Sequence, residues 1–405
     1  MESKREDWAW AAAPLTLVLL AATGCDSTSD AGAKPTAAPS STPVARVCAN
    51  PAAGPAKAPA GAVTVDPAVV GDLAAKTKSN PPNTTFWLRP GKHRLDPDRY
   101  AQVIPKKGNS YVAAPGAVLD GRKTNQYAFG GSARNVTIRH LTVQGFVAPH
   151  DEGVVNHDSA DGCVIEHATI QNNSGAGLMA GARQRVRAGC LRDDGQYGMN
   201  AYKATGRISG LVVEDNEVVG NNTGDWERRR EGCGCTGGIK FWAVDGADVR
   251  GNWVHDNRGT GLWADGPANT SSGDCTLLVK DTDRCAKPAI ATAPLYADCR
   301  WKTQRVDIHD NRFMLDKSVV ECTAKCDRMA VLANYGTYPD WSPYQGERVA
   351  EAITHKQHNR WHDNVYAGPW KFVAHDPSRV LDFGQWQSKR YRQDAGSTLD
   401  PRAGG

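Results

Sequence analysis

A six-residue pattern returns along most of this chain and restricts the folds that the chain can adopt. Each copy begins and ends with an apolar residue, and the four residues between them are mostly polar or small. The seven copies are Ile138–Val143, Ile165–Ile170, Val186–Leu191, Val213–Val218, Val249–Val254, Ile308–Phe313 and Trp361–Tyr366. Their first residues are 27, 21, 27, 36, 59 and 53 positions apart. Repeats of 20-odd residues predict a solenoid with one copy in each coil, and the longer steps indicate coils with insertions or an unrecognised extra coil.

The fourth position of the pattern carries an amide in four copies and a small residue in two others. The amides are Asn216, Asn252, Asn311 and Asn364. An amide at a tight inward corner can bond to the amides of the coils above and below, so we expect one column of asparagines. Several copies continue through a polar turn into a second short strand that opens with glycine. These glycines are Gly177, Gly198, Gly238 and Gly261. Strands of period two, joined by Asn and Gly turns, indicate a β-solenoid rather than a leucine-rich repeat, for which the copies hold too few leucines.

Together these features resemble the right-handed parallel β-helix family, which includes pectate lyases and other polysaccharide lyases and hydrolases. Phe86–Gly91 and Ser110–Gly121 resemble the opening coils of such proteins, and Phe383–Ser388 resembles the closing coils of bacterial members. The resemblance implies an all-β chain that folds as a single-domain right-handed parallel β-helix. It also implies activity on a polysaccharide.

A helix is expected to close the N-terminal end of the solenoid. Asp66 and Pro67 suit the N-cap and first turn of a helix, and Val69, Val70, Leu73 and Ala74 would share one face. Such a helix would cover the open edge of the first coil.

The first 25 residues predict an export signal. Lys4 and Arg5 precede an apolar run, Ala11–Ala22, that is short for a membrane helix. Because the run is followed by Gly-Cys, it resembles a bacterial lipoprotein signal with Cys25 as the lipidated residue; an ordinary export signal is the alternative. We therefore expect a signal at 1–25, an Ala/Pro/Ser-rich tether at 26–61, the β-helix at 62–392 and a disordered tail at 393–405. The protein would be a monomer, anchored through lipid or secreted.

Composition bounds the partners and the redox state. The net charge of +4 and the lack of a basic run argue against nucleic acid as a partner. Of the 11 cysteines, ten remain when Cys25 is set aside, and an even number in an exported chain indicates disulfides. Local pairs are expected at Cys275–Cys285 and Cys322–Cys326. A zinc site at Cys233 and Cys235 is the weaker interpretation, because the usual two-residue spacer and nearby histidines are lacking.

The glycine-led strands predict the candidate site. If Ile239 and Leu262 point inward, alternation directs their neighbours outward, and neighbouring coils about 4.8 Å apart bring these neighbours together. The outward set then contains Asn200, Tyr202, Lys240, Trp242, Trp263 and Asp265. Exposed tryptophans suit the face of a sugar ring, and the polar groups suit its hydroxyls or carboxylate, although a solvated sheet face is the plainer alternative.

The family resemblance implies the chemistry of this face. In β-helix lyases of acidic polysaccharides a lysine or arginine commonly removes the proton beside the uronate carboxylate. Lys240 is therefore the candidate base, since neighbouring aromatic rings would lower its pKa, and Arg258 or the run Arg228–Arg230 would be a second cation. Asp265 is the candidate catalytic carboxylate. The groove would be substrate-binding through Asn200, Tyr202, Trp242 and Trp263.

Two other functions stay open. A hydrolase of the polygalacturonase type needs two carboxylates, for which Asp193, Asp194 and Asp265 are available, but the family's Gly-His-Gly motif is missing. A non-catalytic glycan-binding protein would present the same aromatic face.

No cofactor can be assigned from the sequence. Calcium suits an acidic groove but has no signature here, and no metal site is expected. The histidines that could bind a metal are His140, His150, His157 and His167, and the repeat spreads them over turns and outward positions of different coils.

Overall fold

The computed structural model describes residues 46–202, 207–229, 237–242, 244–258, 261–265, 304–315, 328–330, 355, 358–374 and 379–402. They belong to one compact unit, Val44–Gly405. Within these residues the strands form long parallel sheets, and sequence-distant segments pair throughout.

Two ten-stranded sheets run the length of the unit. Sheet A contains, in spatial order, Val63–Val65, Thr85–Leu88, Ser110–Ala113, Thr137–Arg139, Val164–Glu166, Arg185–Arg187, Ile208–Glu214, Val244–Arg250, Gln304–His309 and Arg360–His362. Sheet B contains Gly91–His93, Ala117–Asp120, Thr142–Gln144, Thr169–Gln171, Cys190–Arg192, Glu217–Val219, Trp253–His255, Arg312–Met314, Val365–Ala367 and Thr398–Asp400. Sheet C is shorter and contains Gly153–Asn156, Ala176–Met179, Met199–Ala201, Ile239–Trp242 and Leu262–Asp265. Arg328–Ala330 pairs with Lys371–Val373, also in parallel.

The seven sequence copies are seven coils stacked in register. Their first residues pair in one column of sheet A, in the order Ile138, Ile165, Val186, Val213, Val249, Ile308 and Trp361. Their last residues pair in the same order in sheet B, from Val143 to Tyr366. Because consecutive copies pair directly, the long steps are insertions within coils and not extra coils. The prediction of an all-β parallel β-helix is confirmed.

An amide ladder occupies the corner between sheets A and B. The backbone N–H and the Nδ2 of Asn216 both donate to Oδ1 of Asn252, at 3.0 and 2.9 Å. Asn252 bonds in the same way to Asn311, and Asn311 to Asn364. We call Asn216, Asn252, Asn311 and Asn364 the A–B ladder. The single column expected from the repeat is confirmed, and buried amides that bond both to each other and to backbone fix the register of the coils.

The N-terminal helix begins later than the sequence predicted. It spans Asp72–Ser79, and its buried residues Leu73 and Thr77 face the first coils, with Thr77 Oγ1 3.3 Å from the Tyr111 hydroxyl. Val69 and Val70, expected on its inner face, are instead 53% and 48% exposed. The Asp66 carboxylate accepts a hydrogen bond from the N–H of Ala68, two residues on, which forms a turn before the helix starts. Two shorter helices, Trp226–Arg229 and Phe383–Gln387, lie further along the chain.

The segments expected to flank the β-helix domain, a tether before it and a disordered tail after it, both make ordered contacts with the coils. Residues 46–61 are not a free tether, because Cys48 forms a disulfide with Cys190, and the carbonyls of Ala52 and Pro55 accept hydrogen bonds from His140 and Trp87. At the other end, the strand Thr398–Asp400 pairs with sheet B inside the segment expected to be a disordered tail.

The cysteines outside the described residues are Cys25, Cys233, Cys235, Cys275, Cys285, Cys299, Cys322 and Cys326. Their lipidation and pairing therefore stay predictions. Of the described cysteines, Cys163 is buried as a free thiol, and burial raises its pKa. In the part of the chain that is described, no helix is long and apolar enough to cross a membrane.

Candidate functional site

The register predicted for the glycine-led strands is the one that sheet C adopts. Met199, Ile239 and Leu262 pair in one inward column, and each is at most 1% exposed. The next column brings Asn200 beside Lys240. Lys240 in turn pairs with Trp263, and Trp242 with Asp265. The strand positions of the candidate residues thus follow directly from alternation along each strand.

The expectation that this face is open to solvent is wrong for its central residues. Lys240 is 5% exposed, Asn200 4% and Trp242 8%. Tyr202 is half-buried, with its ring centroid 5.8 Å from that of Trp242. The side chains of Trp263 and Asp265 lie outside the described part of the structure, so their predicted roles stay predictions.

Aromatic rings, rather than water, surround the Lys240 amine. Its Nζ lies 5.2 Å from the ring centroid of Trp242 and 5.7 Å from that of Tyr197. Ring faces at this distance attract a cation, and the attraction is stronger where water is excluded. Two ring faces therefore lie where they can stabilise a charged amine.

A polar cluster that the sequence did not predict lies beside Lys240. It consists of His150, Asp151, Gln196 and Tyr197, and we call it the Asp151 cluster. The Asp151 carboxylate is its centre: Oδ2 is 2.7 Å from His150 Nδ1, and Oδ1 accepts from Gln196 Nε2 at 2.8 Å. The Tyr197 hydroxyl is 3.5 Å from Oδ1. Three donors thus point at one carboxylate.

The electrostatics of Asp151 link the cluster to Lys240. Partial desolvation alone would raise the pKa of the Asp151 carboxyl. Hydrogen bonds from His150 and Gln196 and the charge of Lys240 act in the other direction, and the pKa lies below its ordinary value. Asp151 is therefore ionised at neutral pH. Its side chain is 55% exposed, so the carboxylate is the accessible end of a mostly buried group of residues.

The turns that connect sheet B to sheet C form one wall around this cluster. The His150 ring meets the Trp226 ring edge-on, with the centroids 4.5 Å apart, and the Arg229 guanidinium lies 5.8 Å from the Trp226 centroid. Arg258 belongs to the same stack of turns, because its backbone N–H donates to the Asn221 carbonyl. Both arginine side chains are exposed. The side chain of Arg228, and Arg230 altogether, lie outside the described residues.

A second ladder occupies the corner between sheets B and C, directly under these turns. We call Asn173, Asp194, Asn221 and Asn257 the B–C ladder. Oδ1 of Asp194 accepts from Asn173 N and Nδ2 at 3.1 and 2.9 Å, and Asp194 N donates to Asn221 Oδ1 at 3.1 Å. Asn221 bonds to Asn257 in the usual amide geometry. One rung of this ladder is therefore an acid.

Asp194 is unsuited to the role that a hydrolase would give it. The side chain is 0% exposed, and burial, the largest cause, raises its pKa well above the ordinary value, with a smaller contribution from the charge of Asp193. A substrate bound outside the coil cannot reach this carboxyl. Asp193 lies in the adjoining turn with φ of 55°, beside Arg192.

The flagged histidines do not gather into a metal site. No group of three His, Cys, Asp or Glu side chains with metal-binding geometry occurs among the described residues. His140 stacks on His167, with centroids 5.1 Å apart. His157, expected at a turn or an outward position, is 2% exposed, and burial lowers its pKa to about 4.

Sequence reasoning missed the Asp151 cluster because its two halves, His150–Asp151 and Gln196–Tyr197, are 45 or more residues apart in the chain. His150 was considered only as a metal ligand, and neither Gln196 nor Tyr197 carries a motif. The one usable signal was position in the repeat. His150–Asp151 and Gln196–Tyr197 each come just before a strand that contains or follows a glycine, so both pairs lie in the same stack of turns.

Comparison with known proteins adds a weak structural likeness. The sequence matches no protein-family model and no curated protein. Two solved structures are similar over most of the chain, both A-modules of mannuronan C-5 epimerases of Azotobacter vinelandii. AlgE6 has 12% identity and a TM-score of 0.35, with 85% of this chain and 98% of that chain covered. AlgE4 has 12% identity and a TM-score of 0.38, with 84% and 97% covered. The strand pairing described above, and not this likeness, establishes the fold.

Proposed function

We propose that the protein is a polysaccharide lyase that acts on a uronate-containing chain. The observation that carries the proposal is the position of Lys240, a nearly buried amine between two aromatic rings and next to an ionised carboxylate with a phenol in reach. Such a site can hold an anionic sugar and move a proton beside its carboxylate.

The reaction sets two chemical requirements. Removing the proton from the carbon next to a uronate carboxylate builds negative charge on that carboxylate, which a fixed cation stabilises. The electron pair of the broken C–H bond then forms a double bond as the neighbouring glycosidic C–O bond breaks, and the leaving oxygen takes up a proton. The products are an unsaturated uronate and a new reducing end.

Lys240 is assigned the cation in this scheme. The sequence suggested it as the base, but rings and a carboxylate around the amine favour the ammonium form, which binds a carboxylate and accepts no proton. We assign proton transfer to the exposed Asp151 carboxylate, and the buried Tyr197 hydroxyl, 3.5 Å from it, to the positioning of that carboxylate. Arg258 and Arg229 on the turn wall are the second cations that would hold neighbouring uronates.

A variant series tests the assignment on a panel of acidic and neutral polysaccharides. Turnover is followed by the absorbance of the unsaturated uronate and by reducing ends. We expect Lys240→Met and Tyr197→Phe each to lower kcat/KM by about 100-fold or more. Lys240→Arg keeps the charge and loses a proton less readily than lysine, so it should retain more activity than Lys240→Met if the side chain acts as the cation. Lys92→Met, at an exposed lysine of sheet B, is the matched control.

Each class of outcome has a definite meaning. Reducing ends without absorbance would replace the lyase with a hydrolase. Binding that survives without either product would favour the glycan-binding alternative, and Lys240→Met with unchanged turnover would remove Lys240 from the reaction. Full loss in Lys240→Arg would restore the base role to Lys240.

We also propose that the chain is exported and lipidated at Cys25, on the strength of its N-terminal signal and the Cys48–Cys190 disulfide. Mass spectrometry of the mature N-terminus tests this: a diacylglyceryl-modified Cys25 is expected, and an unmodified N-terminus elsewhere would leave a secreted protein. Thiol counting on the denatured protein tests the remaining pairs, including Cys275–Cys285 and Cys322–Cys326.

A further inference from the structure

Gln196 makes three contacts within the Asp151 cluster, and these contacts fix the orientation of its amide. Its Oε1 accepts the backbone N–H of Asp151 at 2.8 Å. Its Nε2 lies 2.8 Å from Asp151 Oδ1 and 3.2 Å from His150 Nε2. The residue is 0% exposed, so water does not compete for these groups. If the amide were flipped, its NH2 group would face the N–H of Asp151, and two donors would meet. Only the observed orientation satisfies all three contacts.

The amide orientation determines where His150 carries its proton. Nε2 of Gln196 has two hydrogens, and the Asp151 carboxylate and the His150 ring are the acceptors that its distances define. A ring nitrogen that accepts a hydrogen bond carries no hydrogen itself, so the His150 proton belongs on Nδ1. That nitrogen is 2.7 Å from Asp151 Oδ2, where an N–H is required.

We infer that Gln196 is a positioning residue that selects the neutral, Nδ1-protonated form of His150 and, through it, holds the Asp151 carboxylate in place for the reaction. The effect on turnover rests on the proposed function. The form of His150 does not, and it can be measured on the protein alone.

Protonation of His150 has a structural consequence in this arrangement. A hydrogen on Nε2 would put two N–H donors face to face, so the contact with Gln196 would break. Asp151 is an anion that faces the ring, and it bonds to the other nitrogen, Nδ1. Gln196 therefore couples the proton content of His150 to the position of Asp151.

The first experiment is a long-range ¹H–¹⁵N NMR spectrum of the imidazoles at pH 8. For His150 we expect one protonated nitrogen, Nδ1, and one unprotonated nitrogen, Nε2. A His150→Gln variant assigns the signal by its disappearance. A spectrum with the proton on Nε2, or on both nitrogens, overturns the inference.

Two substitutions of Gln196 then separate positioning from simple packing. Gln196→Leu removes the donor to His150 Nε2 and both hydrogen bonds that hold Asp151 against Nδ1, so we expect both neutral forms of His150 in exchange and a loss of kcat of about tenfold or more with KM changed less. In Gln196→Glu the introduced carboxylate accepts from Nε2, so the signal of a protonated Nε2 should appear in the spectrum of His150. Gln171→Leu, which removes an amide contact on sheet B, should leave the His150 signals unchanged.

The two hypotheses fail in different ways. An unchanged His150 spectrum in both folded Gln196 variants would overturn the positioning role, whatever the activity. The expected spectra together with no turnover on any polysaccharide would instead leave the positioning role standing and remove the lyase. Circular dichroism confirms that each variant is folded before its spectrum is interpreted.

Discussion

The two corner ladders of this solenoid follow one bonding plan and differ in one rung. In the A–B ladder, the Nδ2 of Asn252 donates to the Val213 carbonyl of the preceding coil and to Oδ1 of the following asparagine. The B–C ladder repeats this plan at Asn221, whose Nδ2 donates to the Leu191 carbonyl. At Asp194 an oxygen, Oδ2, occupies the place of that donor, and it has no hydrogen-bond partner among the described groups.

The difference is that Asp194 occupies a rung where the bonding plan would place an amide. A protonated carboxyl can donate once, so a neutral Asp194 continues the ladder almost as an amide does, whereas an ionised one faces acceptors. Asp194 stands two residues before Gln196, in the turn that carries the Asp151 cluster. Departures from local consistency concentrate at functional sites in folded proteins. The A–B ladder, which has no such departure, lies in the other corner.

The largest loss of stability is expected from removing a rung of the A–B ladder. Asn252→Ala deletes two accepted and three donated hydrogen bonds and removes the acceptor of the buried N–H and side-chain amide of Asn216. We expect a loss of about 4 kcal/mol in the free energy of unfolding, measured by denaturant titration. Asn257→Ala in the B–C ladder should cost a similar amount, and a much smaller loss there would mean that the two ladders are not equivalent.

We expect His157 to lower the free energy of unfolding by about 3 kcal/mol at acid pH. This loss must be distinguished from the effect of Asp194. The folded pKa of His157 is about 4, against 6.5 in the unfolded chain. Its neutral form is therefore stabilised above pH 6.5, and this stability is lost as the pH falls from 6.5 to about 4. His157→Gln should flatten the stability profile over that range. A profile as steep as that of the wild type would assign the acid loss to other groups.

An acid introduced into the A–B ladder tests the comparison in the other corner. Asn252→Asp replaces a donor with an acceptor at a fully buried position. We expect a cost of about 2 kcal/mol at pH 7, because burial disfavours the charge and a protonated carboxyl has fewer hydrogens to donate than an amide. The cost should shrink as the pH falls through the unfolded value near 4, below which the carboxyl is protonated in both the folded and unfolded chains. Equal cost above and below that value would contradict the protonation argument.

The smallest effect is the reverse change. Asp194→Asn restores the amide plan, and we expect a gain of about 1 kcal/mol at pH 7. The folded pKa of Asp194 is raised, so the wild type loses stability as the pH rises above the unfolded value near 4, and the variant should not. Thermal unfolding at pH 4, 6 and 8 measures the trend. A variant less stable than the wild type at pH 8 would show that the acid makes a contact that the amide cannot.

The architecture was predictable because it depends on spacing alone. The apolar ends of seven short copies define the columns of sheets A and B, and Asn216, Asn252 and Asn311 define the corner. Alternation around Ile239 and Leu262 gave the register of Lys240 as well. These are local patterns, and a solenoid turns local patterns into neighbours.

Neither the burial of Lys240 nor the Asp151 cluster was predictable, because local patterns determine neither of them. Alternation tells which way Lys240 points from its strand, but not that the rings of Tyr197 and Trp242 cover it. The partners of Asp151 come from turns of differing length, where no periodicity operates. The start of the N-terminal helix was also missed, since the turn at Asp66 competes with a helix cap for the same side chain.

The Cys48–Cys190 disulfide determines how the β-helix would respond to mechanical force. A pull on the chain upstream of Cys48 passes through the sulfur bond into the strand Cys190–Arg192, and the coils between the two cysteines carry no load. Reduction would shift the load to the first strand, Val63–Val65, and allow those coils to peel away one by one. In single-molecule extension, the reduced protein should release about 50 nm of additional chain, the contour of the 142-residue separation.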